Sequence, residues 1–140
     1  MYAAQADMTT RFGEEEIILL TDVDAQTGVV DTVMLDQALS DASAEIDGYI
    51  GGRYPLPLAD APPVLVRVCC DIARYFLHDE HAPERVTKRY DDAIKFLKSL
   101  GKGEISLVMP ADAEAVESRD TAQITSDGRV FDRDDSKAFI

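Results

Sequence analysis

Apolar residues recur along this chain mostly at helical spacing. Leu35, Leu39, Ala42, Ile46 and Tyr49 follow at intervals alternating between four and three, the stripe of an amphipathic helix. Asp36, Gln37, Ser40, Asp41 and Asp47 line its other side. Val86, Tyr90, Ala93, Leu97 and Leu100 repeat the pattern before the sequence GKG stops it. Between these two, Val64 to Leu77 is apolar nearly all round, leaving one narrow polar line of Arg67, Asp71, Arg74 and His78. That pattern predicts a central helix, the most buried of the set. Nearer the start, Ala4 to Phe12 and Glu14 to Leu20 read as two short helices broken at Gly13. The second opens with Glu14, Glu15 and Glu16 at its positive dipole end, and Tyr2, Met8, Phe12, Ile17 and Leu20 should face inward.

Turn residues set the boundaries. Asp31 or Thr32 is placed to cap the Leu35 helix, and Gly51 and Gly52 to end it in left-handed geometry. RYPLPLADAPP cannot continue a helix, because Pro55 and Pro57 lack amide hydrogens and hold their predecessors extended. Pro62 and Pro63 then start the next one. Beyond Gly103 the periodicity changes: EISLVM alternates like a short strand, and GRVFDRDDSKAFI has strand-like Val130 and Phe131 before a charged run and an apolar end. The expected fold is all-α, a compact bundle of four to five helices with a short C-terminal β-like segment and an extended tail. A helical domain should occupy 1–103 and an extended arm 104–140.

A chain of 140 residues with 46% hydrophobic content supports one core rather than two. No apolar run approaches the roughly 20 residues of a membrane span, and MYAAQADMTTRF lacks the features of a signal peptide, so a soluble protein is expected. The net charge of -13 disfavours general attraction to nucleic acid or anionic membrane. It is unevenly spread: residues 1–62 carry 12 acidic and 2 basic side chains, 63–103 carry 6 and 8, and 104–140 carry 9 and 4. A near-neutral segment between two acidic ones could be covered by them, within one subunit or between copies.

Candidate chemistry is sparse. Asp22, Asp24, Gly28 and Asp31 suggest a calcium loop, but counting from Asp22 the sixth position is Thr27 and the twelfth is Val33, so the glycine comes late and the closing carboxylate is missing. The plainer reading has Asp22 and Asp24 bonding nearby amides, Gly28 supplying a positive φ and Asp31 capping a helix. A calcium-responsive helical binding module remains the alternative function. HDEHAPE places His78, Asp79, Glu80 and His81 together without the i, i+4 histidine pair of a zincin, and a polar helix end explains it. Cys69 and Cys70 are adjacent within an apolar helix and His78 lies roughly 12 Å further along it, so packing suits them better than catalysis. No phosphate loop, nucleophile elbow or dinucleotide fingerprint occurs, and no cofactor is expected. On so apolar a helix, Arg67, Asp71 and Arg74 fit an ion-pair seam better than a solvated edge.

MYAAQADMTTRFGEEEI, ALSDASAEIDGYIGGRYPLPL, PPVLVRVCCDIARYFLHD, ERVTKRYDDAIKFL and RVFDRDDSKAF, in this order, resemble the Mu-like phage and prophage head-to-tail neck proteins. That resemblance implies an all-helical adaptor with no catalytic activity, assembled as a ring of about a dozen copies between the portal protein and a tail-side neck or terminator protein. It places the protein in the virion neck after synthesis in the host cytoplasm, with neither specific nucleic-acid binding nor a membrane. On that reading Arg67, Asp71, Arg74, Arg129, Phe131, Arg133 and Phe139 are the candidates for inter-subunit or portal contacts. Asp36, Asp41, Glu45 and Asp47 would form an acidic face toward the channel lumen, where like charge keeps DNA from sticking.

Overall fold

One glycine makes the first corner. Gly13, at φ 90°, donates its N–H to the Thr9 carbonyl at 2.9 Å and closes α1 (Gln5–Phe12). Its own carbonyl accepts from Ile17 N–H at 3.3 Å and opens α2 (Glu14–Thr21). A side chain is strained at that φ, so two helices meet here without a loop because the residue is glycine. A computed structural model describes residues 1–24 and 26–108 of the chain. Among these residues the remaining helices are α3 (Thr32–Ile50), α4 (Pro63–His78) and α5 (Glu84–Lys102), with a 3-10 turn at Asp79–His81 and no strand.

The ends of the helices follow local chemistry. Asp7 accepts the Ala4 N–H at 2.8 Å and so serves the start of α1, where the alanine has no side-chain acceptor. Asp31 caps α3 by accepting the Val33 and Met34 amides, both at 3.1 Å. Pro63 begins α4, where a missing N–H costs nothing. Gly103, at φ 84°, ends α5; its N–H donates to Leu100 and the Glu104 N–H to Ser99, a left-handed cap. Gly51 departs from expectation, since it is right-handed at φ -60° and ψ -21°. What it supplies is room: a Cβ there would lie 2.9 Å from the Asp47 carbonyl oxygen and 3.3 Å from Leu56 Cδ1.

α4 packs against each of the other four helices, which is why its sequence is apolar nearly all round. Leu65, Val68 and Ile72 of α4 are fully buried, as are Leu39 and Ile46 of α3, Leu97 and Leu100 of α5, Met8 of α1 and Ile17 of α2, on the helices that α4 packs against. Each such side chain contributes roughly 1.5–3 kcal/mol through burial. α5 comes close to α3 where Gly101 meets the Tyr49 carbonyl, since a Cβ on Gly101 would stand 2.7 Å from that oxygen. Tyr90 of α5 stacks on Tyr75 of α4 with ring centroids 4.0 Å apart. Among the residues expected to face inward, Tyr2, Met8 and Ile17 are buried, while Phe12, Leu20 and Tyr49 are only partly covered.

The compact unit runs from Met1 to Leu107, past the boundary expected at Gly103. Leu107 is buried and its N–H donates to the Tyr54 hydroxyl at 2.9 Å. Arg53 Nη1 donates to the carbonyls of Leu100, at 2.9 Å, and Ile105, at 3.2 Å. The described part of EISLVM is therefore irregular and not a strand. Its backbone bonds to side chains of Arg53 and Tyr54, and the alternation marks one anchored leucine between exposed neighbours. The strand expected at Val130 and Phe131, and the arm from Met109 onward, lie outside the described residues. No described helix is long and apolar enough to cross a membrane.

Candidate assembly surface

The polar line of α4 divides into an inner and an outer part. Arg74 is the inner part. Its Nε and Nη2 each donate to a Glu16 carboxylate oxygen at 2.7 Å, and its guanidinium lies 4.3 Å from the centre of the Phe12 ring. A paired, stacked guanidinium is the form in which a charge tolerates burial, and this one ties α4 to α1 and α2. Asp71, 5% exposed, stands between the two parts. Arg89 Nη1 approaches it at 3.8 Å and Arg67 Nη1 at 3.9 Å. Burial pushes the Asp71 carboxyl up, against the opposing pull of Arg89, Arg67, Arg11 and Arg74. The outer part is cationic: the side chains of Arg67 and Arg89 remain 55% and 61% exposed, and Arg11 is exposed beside them.

Burial governs both cysteines and His78. Cys69 Sγ lies 3.6 Å from Ser43 Oγ and 3.9 Å from the Leu39 carbonyl oxygen. Burial pushes both thiols up, Cys70 to about 12, the reverse of what a nucleophilic thiolate requires. His78 Nε2 is buried without a hydrogen-bond partner among the described residues, and burial holds its imidazole below the ordinary value. Asp79, Glu80 and His81 beside it are exposed. Among the described residues no three His, Cys, Asp or Glu side chains gather as a metal site.

In the Asp22 to Asp31 loop the carboxylates of Asp22 and Asp31 accept amides of the chain itself. Asp22 accepts the Gly28 N–H at 2.9 Å and the Thr27 N–H at 3.3 Å, and these bonds hold its carboxyl below the usual range. Gly28 has φ 66°, as expected for the turn. Asp22, rather than Asp24, takes these loop amides. Thr21, buried, adds a link unforeseen from sequence: its hydroxyl donates to Ile17 and accepts the Asp31 N–H at 3.0 Å, joining the end of α2 to the cap of α3.

Asp36, Asp41, Glu45 and Asp47 do not share one face of α3. Asp36 accepts from Gln5 Nε2 at 2.8 Å and Asp47 from the Tyr2 hydroxyl, so both lie along the N-terminal segment. Asp41 accepts from Gln37 at 2.9 Å, and Glu45 accepts from Tyr90 of α5 at 3.1 Å, on the other edge. Successive positions turn by about 100°, which carries 41 and 45 well away from 36 and 47. The single acidic face expected from sequence is two separate edges.

Exposed apolar side chains concentrate in and beside the connection from α2 to α3. Leu19, Val23, Val29 and Val33 are 61–79% exposed. Two adjoining depressions lie here, sharing Asp31 and Met34. One, about 470 Å³, is lined by Val23, Val29 and Val30 with Asp22 and Asp24; the other, about 410 Å³, by Val33, Ala38, Phe76 and Leu77 with Asp41. Together they form a shallow groove lined by apolar and acidic side chains, and no basic residue lines it. Of the remaining candidates, Arg129, Phe131, Arg133 and Phe139 lie outside the described residues.

Comparison with known proteins relates the sequence to proteins of Mu-like phages. The family described as Bacteriophage Mu, Gp36 matches residues 2–126. The Mu-like prophage FluMu protein gp36 of Haemophilus influenzae is 47% identical over 111 residues, 79% of each chain. Gene product J of Escherichia phage Mu is 35% identical over 140 residues, 99% of each chain. The chain belongs to the Mu Gp36 family of Mu-like phage proteins.

Proposed function

We propose that this chain is a structural head-to-tail connector of a Mu-like phage, assembled as a ring between the portal protein and a tail-side neck or terminator protein, and that it catalyses no reaction. One contrast on the folded unit carries this reading. Cys69, Cys70 and Arg74 are buried, while Leu19, Val23, Val29 and Val33 stay exposed in and beside the α2–α3 connection. Clustered exposed apolar groups mark an interaction surface rather than a reaction centre. A near full-length likeness to a phage Mu gene product supports the virion setting. The apolar residues Phe131 and Phe139, with Arg129 and Arg133, supply further anchors for a neighbouring subunit or the portal.

The test is joining. Heads and tails accumulated in the absence of this protein should yield infectious particles when the purified chain is added. A chain ending at Gly128 should fail to join them while keeping the unfolding midpoint of the full chain. Equal joining by the shortened chain would remove the anchoring role, and failure of the full chain would remove the connector reading itself.

A further inference from the structure

The groove and the cationic edge are complementary surfaces on one chain. Phe76, at the groove, and Arg67, at the edge, are nine positions apart on α4. At about 100° per position they project from opposite sides of that helix. The groove offers apolar Val29, Met34 and Phe76 together with acidic Asp22, Asp24, Asp31 and Asp41. The edge offers Arg11, Arg67 and Arg89, whose stems are apolar and whose planar heads are cationic, matching the apolar and acidic lining in turn. We propose that the acid-lined groove between α3 and the end of α4 receives the Arg11, Arg67 and Arg89 edge of a second copy of this chain.

The contact is heterologous, since two different patches of the same chain meet, and repeated addition of copies closes into a ring or extends as a filament. Asp71 gives the edge its form. Being buried, it holds Arg67 and Arg89 at nearly 4 Å without consuming either head, and both keep more than half their side-chain surface for a partner. The inference rests on the ring reading above and names the surfaces that would meet in it.

Charge exchange tests it. Asp24→Lys with Asp41→Lys sets two cations among the remaining groove acids and cancels the groove's net charge, without touching the Asp31 cap or the Asp22 loop bonds. Arg11→Glu with Arg67→Glu reverses the edge and leaves Arg89 beside Asp71. Sedimentation should show the wild type associating, less tightly as salt rises. Each variant alone should associate about 100-fold more weakly, as like charges then face each other. An equimolar mixture of the two should recover wild-type association, because the unaltered groove of one variant then meets the unaltered edge of the other, and the new lysines face the new glutamates. Thermal unfolding checks that both variants fold, and Arg11→Glu alone replaces the edge variant if it does not. Association by either variant equal to the wild type, or no recovery on mixing, would overturn the proposed contact while leaving the connector reading intact. A wild type that stays monomeric at every concentration would overturn both.

Discussion

His78 shows how a single residue couples packing to pH. Burial depresses its imidazole below the ordinary 6.5; nearby Glu16 pulls it up, while Arg74 and Arg85 push it down further. The unfolded chain therefore binds that proton more readily than the folded one, and acid favours unfolding. The stabilising contribution is complete above pH 6.5 and is lost as pH falls through the depressed folded value. Melting temperatures measured through this window should fall for the wild type and fall less for His78→Gln; parallel curves would contradict the assignment. Residue chemistry was only partly legible beforehand. The Asp31 cap and the positive φ of Gly28 follow from short-range rules, and both are present. The partners of Arg74 and Tyr2 were not legible, because Glu16 and Asp47 lie 58 and 45 positions away in the chain. Glu16 was one of three glutamates suited to a helix start, and only folding selects the one that meets Arg74.

Among the elements, helix identity was legible and helix contact was not. Spacings of four and three placed α3 and α5 within a few residues of their observed limits, since burial on one side demands that period. The same spacing does not reveal that α5 crosses α3 at Gly101, where the glycine sits inside a helix and pays a propensity cost. Its absent side chain permits the approach to the Tyr49 carbonyl. Gly101→Ala should gain helix propensity yet destabilise the protein by about 1–3 kcal/mol, because a backbone oxygen cannot move aside as a side chain does. Denaturant unfolding measures this, and a stabilised variant would show that the crossing relaxes freely. EISLVM failed as a strand for a related reason. Alternation is necessary for a half-buried strand but not sufficient, and the described backbone of this segment pairs with Arg53 and Tyr54 instead.

For the whole molecule, uneven charge was legible and its placement was not. The near-neutral stretch from 63 to 103 supplies Arg67 and Arg89 of the cationic edge, while the acidic first half supplies the groove acids. Counting charges suggested complementary surfaces; three-dimensional packing was needed to divide the acids of α3 between two edges and to put the groove and the arginines on opposite sides of α4. The compact helical unit agrees with the fold that the sequence implied. The connector role rests on what that unit leaves open to others. Electron microscopy of portal-bearing heads mixed with the purified chain tests this most directly. The account predicts a ring of added density at the portal vertex; vertices that stay bare at saturating protein would contradict it.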